Sequence, residues 1–100
     1  MPLSNDNRKH MRRLGHNLSP VVTVANKGLT PGVVNEISRA LADHELIKIK
    51  LSVGDKTAKQ AALATIEKDL CAEVVQTIGH VALLYKKAEQ PNPKLSNLLR

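Results

Sequence analysis

The sequence predicts one α/β domain on a four-stranded mixed sheet, with the element order α-β-α-β-α-β-β. Three observations predict it. Apolar residues recur at helical spacing in three segments, four short runs rich in β-branched residues lie between and after them, and the last two runs are joined by only Gly79-His80. With 100 residues, 42% of them hydrophobic, the chain has material for a single core.

Residues 4–16 read as a helix. Ser4 is a suitable N-cap, Asp6 suits the positive end of the helix dipole, and Met11 and Leu14 are spaced for an apolar edge. Arg8 and Arg12 share one stripe and Lys9 and Arg13 the next, each at i,i+4. Gly15 is expected to end this helix, because glycine accepts the left-handed conformation. Residues 20–24 (PVVTV) suit a short buried strand, with Pro20 tolerated at its start. Thr30-Pro31 then starts a second helix, threonine as N-cap and proline in the first turn, and Val33, Ile37, Ala40 and Leu41 carry the helical period to about Asp43. Residues 46–51 (LIKIKL) alternate cleanly. Ile47, Ile49 and Leu51 mark one buried face, and Lys48 and Lys50 a basic one. Residues 55–71 read as a third helix with Leu63, Ile66 and Leu70 as its stripe and Lys56, Lys59 and Lys68 toward water. Residues 73–78 and 81–86 form the hairpin around Gly79-His80. The β-α-β units imply parallel pairing with right-handed crossovers, and the hairpin adds an antiparallel pair. Beyond Lys87 the composition becomes polar, with Pro91 and Pro93, although Leu95, Leu98 and Leu99 can dock or form a short helix.

The formal net charge of +6 fits a polyanionic partner. It is concentrated near the start, where Arg8, Lys9, Arg12 and Arg13 face Asp6 alone within residues 1–20. No apolar run approaches the ~20 residues of a membrane helix, and the first residues lack a signal-peptide core, so the expected compartment is the cytoplasm. The lone Cys71 is expected to be a buried small hydrophobe. Tyr85 is the single aromatic residue, which argues against recognition by aromatic base stacking. His10, His16, His44 and His80 lack metal-ligand spacing, and Glu36, Asp43 and Glu45 are not paired into an acid/base site. His44 reads as a helix-end residue that favours terminal carbonyls. No cofactor is expected and the chain does not read as an enzyme.

The stretch Val21 to Val33, VVTVANKGLTPGV, carries the clearest local chemistry. A strand runs into a short loop and then a helix N-terminus, whose outward backbone N–H groups favour an anion. Gly28 allows close backbone approach or positive φ, and Lys27 can reach a phosphate. The competing reading is an ordinary strand-to-helix turn.

LSPVVTVANKGLTPGVVNEISRAL (18–41), HELIKIKL (44–51) and VVQTIGHVALLYK (74–86) resemble the YhbY-type CRM family, the chloroplast RNA splicing and ribosome maturation domain. The resemblance covers residues 3–87. It implies a fold like the C-terminal domain of translation initiation factor three. It also implies an RNA-binding domain over 1–87, with 88–100 as a tail. Bacterial single-domain members associate with precursors of the large ribosomal subunit, and plant relatives act in group II intron splicing. The family's loop is written G-x-x-G and likened to the backbone-clamping loop of KH domains. Ala25-Asn26-Lys27-Gly28 match it here, with Ala25 in place of the first glycine.

The resemblance thus implies RNA, and specifically ribosomal RNA in large-subunit precursors, as partner. The expected contacts are the loop Ala25, Asn26, Lys27 and Gly28, the helix residues Arg8, Lys9, Arg12 and Arg13, and the strand residues Lys48 and Lys50. The alternative is a protein-interaction module whose Leu95, Leu98 and Leu99 dock on a ribosomal protein.

Overall fold

A computed structural model describes residues 5–25, 28–52 and 54–87. The elements follow the expected order: α1 (Asn5–His16), β1 (Val22–Val24), α2 (Pro31–His44), β2 (Leu46–Leu51), α3 (Lys56–Leu70), β3 (Glu73–Ile78) and β4 (Val81–Tyr85). The four strands form one mixed sheet in the order β1-β2-β4-β3. β1 pairs parallel with β2, while β4 is antiparallel to both β2 and β3. The second crossover therefore departs from the expectation of direct pairing. β2 and β3 run the same way, but the hairpin folds β4 back between them and leaves β3 at the edge.

Local chemistry explains the element boundaries. Thr30 caps α2, its Oγ1 accepting from Val33 N–H at 3.2 Å. Asp55 lies just outside α3 rather than within it, and its Oδ1 accepts from Ala58 N–H at 2.9 Å. α2 ends at Glu45, a buried residue at φ 62°, whose N–H donates to the Leu41 carbonyl and whose carbonyl accepts from Lys86 N–H. These two bonds hold an uncommon backbone conformation and turn the chain from helix into strand within one residue. Gly79 takes φ +57° in the hairpin turn, where glycine carries no Cβ penalty. The proposed cap Ser4 and the tail residues Leu95, Leu98 and Leu99 lie outside the described residues.

Two sequence expectations are corrected. Cys71 is exposed, not buried: it is the C-cap of α3 in the left-handed conformation, where its side chain is turned out of the core. Gly15 does not end α1 with a left-handed residue, because the helix continues through His16 and Gly15 has no positive φ. It is buried against β4, and a Cβ placed there would lie 2.6 Å from both Leu83 methyl carbons. Gly15 is thus a close-approach residue that lets α1 rest on the sheet.

The core lies on both sides of the sheet. On one, α2 and α3 cover Val24, Ile47, Ile49, Leu51 and Leu84 with Ile37, Leu41, Leu63 and Ile66. Each fully buried aliphatic side chain contributes roughly 1.5–3 kcal/mol by leaving water. On the other side α1 brings Met11 against Leu46, Val75 and Leu83, with Leu14, Leu18 and Tyr85 at the margin. α1 is short and covers only part of that face. This partial cover sets up the surface described next.

Candidate nucleic-acid interface

β2 alternates, so its two lysines point to the α1 side of the sheet. Leu46 shares their face and is fully buried under α1, Lys48 is half-buried, and Lys50 is exposed. The burial gradient along one strand records where α1 stops. Lys50 pairs in register with Thr23, and the loop after β1 begins two residues later, roughly 7 Å along the strand. The backbone of Ser52 donates to the Val24 carbonyl at 2.7 Å and so fixes the start of that loop beside the end of β2.

The loop itself is tightly turned. Gly28 N–H donates to the Ala25 carbonyl at 2.8 Å, closing a four-residue turn, and Thr30 N–H donates to the Gly28 carbonyl at 3.0 Å. Gly28 has φ +72°, with open space where a Cβ would stand. Its glycine requirement is therefore conformational and not steric. Ala25 is exposed and shows no positive φ, so alanine fits the first loop position without strain. Asn26 and Lys27 lie outside the described residues. The following helix terminus is less open than its position suggests. Pro31 has no N–H, Val33 N–H is taken by Thr30, and Val34 N–H bonds the Thr30 carbonyl, which leaves Gly32 as the first-turn amide facing outward.

The four cations of α1 separate into two kinds. Lys9, Arg12 and Arg13 are exposed. Arg8 is half-buried: its guanidinium donates to Glu73 Oε1 at 2.6 Å and, more weakly, to the Val74 carbonyl at 3.4 Å. Arg8 ties α1 to β3, so its charge is already neutralised within the fold. Arg8, Arg12 and His16 follow one another at i,i+4, and this stripe runs from Glu73 toward the uncovered part of the sheet. Near this ion pair, burial raises the Tyr85 phenol pKa above its ordinary 10.0, and the carboxylates of Glu45 and Glu73 push it the same way.

At the end of that stripe the structure joins Lys48, expected from sequence as a contact, to residues that sequence reasoning did not single out as contacts. His16, Lys48, Gln76 and Ile78 line a cleft of about 340 Å³ between the C-terminal end of α1 and the sheet. β3 carries a bulge there: Val74 pairs with Leu84 and Gln76 with Leu83, so Val75 is an extra residue. One extra residue reverses the alternation beyond it, which brings Gln76 and Ile78 to the α1 side. The pattern EVVQTI contains no signal for that reversal.

Among the described residues no group of histidine, cysteine, aspartate or glutamate is arranged to hold a metal ion, and no helix is long and apolar enough to cross a membrane. The fold and its surface define a class: a small basic α/β module that gathers cations on one side of a mixed sheet. The chain belongs to the CRS1/YhbY (CRM) domain family, whose model matches residues 3–86. It is 43% identical over 100 residues to a Pseudomonas aeruginosa protein named Probable RNA-binding protein PA4753, covering all of this chain and 96% of that one. It is 41% identical over 93 residues to a Haemophilus influenzae protein named RNA-binding protein, covering 93% and 94% of the two chains. Its fold matches the solution structure of SAV1595 from Staphylococcus aureus with a TM-score of 0.77 at 24% identity, over 89% of this chain and 93% of that one.

Proposed function

We propose that this protein binds structured RNA in the cytoplasm and acts on precursors of the large ribosomal subunit, as a binding factor and not an enzyme. The observation that carries the RNA reading is the common side of the sheet. The exposed cations of α1 and the lysines of β2 lie on that one side, and Lys50 stands beside the end of β1, where the loop begins. The family and the names of its relatives supply the polyanion. The family resemblance supplies the ribosomal precursor.

Docking begins with charge. Lys9, Arg12, Arg13 and Lys50 are exposed, so their contact with phosphate requires no rearrangement of the core. Released counterions make such binding steeply salt-dependent. The loop then sets the register. Gly28 takes a positive φ and has open space where a Cβ would stand, so a sugar–phosphate backbone can approach the main chain there. Arg8 contributes through the fold, by holding the basic helix in place.

Binding of a labelled ribosomal RNA fragment, measured over a series of salt concentrations, tests this reading. Each lost phosphate contact lowers the log–log slope by ~0.7–0.9, so Arg12→Ala with Arg13→Ala should lower it by about 1.5. An unchanged slope would remove α1 from the interface. In a low-salt sucrose gradient the parent should sediment with large-subunit precursors. Its absence from every such fraction would refute the ribosomal assignment while leaving RNA binding intact.

A further inference from the structure

α1 leaves part of its side of the sheet uncovered, and that part is shaped into a cleft. Its floor is aliphatic, formed by Leu18, Val81 and Leu83, and one wall is Ile78, which is 66% exposed. The β3 bulge is what delivers Ile78 to this side of the sheet. Polar groups converge on the same space: Lys48 from β2, Gln76 from β3 and His16 from the end of α1. Among the described residues no carboxylate lines the cleft. Lys50 continues the positive charge on the same face toward the loop after β1.

We infer that this cleft takes a single unstacked nucleotide of the bound RNA. The inference rests on the RNA-binding reading above and specifies the class of RNA: structured, but with an unpaired nucleotide free to leave the helix. Size and chemistry select that occupant. The volume of about 340 Å³ falls at the small end of ligand clefts, roughly 300–1,000 Å³, too small for an element of duplex. A base has two apolar faces and a polar edge. The aliphatic floor and Ile78 match the faces, and the Gln76 amide offers both a donor and acceptors to the edge. Lys48, at the cleft's margin, matches the phosphate that follows the base into place. The charge balance argues against a basic protein segment, because among the described residues the lining carries Lys48 and no acid. Single-stranded and extruded bases are the usual means by which proteins read RNA sequence, since the grooves of an A-form helix hide the base edges. The cleft also explains how a chain with one aromatic residue, Tyr85, engages a base: by aliphatic contact and not by stacking on a ring.

Two hairpin RNAs test it. They share one stem, but in one hairpin a purine is unpaired and in the other it is paired. A fluorescent purine analogue at that position reports whether the base leaves the stack. The full-length protein should bind the unpaired form about tenfold more tightly, the discrimination one well-placed base contact provides. The analogue's signal should change on binding. Gln76→Ala with Ile78→Ala should abolish the preference while keeping the affinity for the fully paired hairpin, and its melting temperature should stay near the parent's because both side chains are at least partly exposed. Equal affinity of the parent for both hairpins overturns the inference alone and leaves the RNA-binding reading standing. A preference that survives the double substitution overturns it too. Failure of the parent to bind either hairpin at low salt overturns the RNA-binding reading and this inference together.

Discussion

Gly15→Ala isolates one packing contact that sets the position of the basic helix. In an open helix the change is favourable, because alanine exceeds glycine in helix propensity by about 0.8–1 kcal/mol. Here the new methyl would stand 2.6 Å from Leu83 Cδ1 and Cδ2 and 3.2 Å from its Cγ. Carbon atoms in contact prefer about 3.5–4.0 Å, so the overlap is near 1 Å against two methyls at once. Leu83 is 3% exposed and packs in the cluster with Met11, Leu46 and Val75, so it yields only by leaving its rotamer or by lifting α1. Overpacking of this kind costs typically 1–3 kcal/mol. Subtracting the propensity gain leaves a net destabilisation of about 1 kcal/mol, or roughly 4–8 °C in melting temperature for a domain of this size. Urea and thermal unfolding followed by circular dichroism measure it. Leu83→Val in the same chain should relieve the clash, so the double variant should be more stable than the sum of the two single effects predicts. A left-handed cap would behave differently: asparagine, which tolerates positive φ, would be accepted there better than alanine. Gly15→Asn should instead be worse than Gly15→Ala. A rise in melting temperature for Gly15→Ala would refute the close-approach reasoning.

Three further outcomes follow from the same geometry. Arg8→Ala should cost about 1–2 kcal/mol of stability, because it leaves the partly buried Glu73 carboxylate without its charged donor, yet it should leave the RNA salt slope near the parent's, unlike changes at Arg12 and Arg13. Cys71→Gly should stabilise the fold by roughly 0.5–1 kcal/mol, measured by urea unfolding, because glycine occupies the left-handed C-cap of α3 without a Cβ penalty and the exposed thiol contributes no packing. The phenol of Tyr85, the only tyrosine in the chain, should titrate above 10.0 in an ultraviolet pH titration. Its protonated form is favoured by the fold, so this contribution to stability is whole below pH 10.0 and is lost as the pH climbs through the higher folded value. Tyr85→Phe should therefore lose less stability than the parent over that alkaline range, and identical pH profiles would show that the site does not couple to folding.

The elements were legible in the residues because each rests on local chemistry. Thr30-Pro31 starts α2, LIKIKL alternates as a half-buried strand, and Gly79-His80 closes the hairpin, all within a few residues of chain. The family was legible as well, since long strings in order carry it and its model matches residues 3–86. The basic residues could be counted, but their roles could not be told apart. Arg8 and Arg12 look alike at i,i+4, and only the fold brings Glu73, 65 positions away in sequence, against one of them. Cys71 followed an apolar period that predicted burial, but the left-handed end of α3 turned it outward. Gly15 had the composition of a helix stop and serves as a contact surface, because what it touches belongs to β4.

The sheet order had the same character. A β-α-β pattern states that two strands run parallel but not whether a third lies between them, and the hairpin's return placed β4 in the gap. The bulge at Val75 is a matter of register between β3 and β4, so no periodicity within β3 records it. Sequence by itself determined what depends on neighbours along the chain: the helices and strands, the Thr30 cap, the loop glycine and the total charge. Tertiary structure alone decided which cations remain free, how far α1 covers the sheet, and that Gln76 and Ile78 meet Lys48 in one cleft. The physical reason is that these depend on partners supplied by distant segments, and one shifted residue in a strand exchanges its two faces.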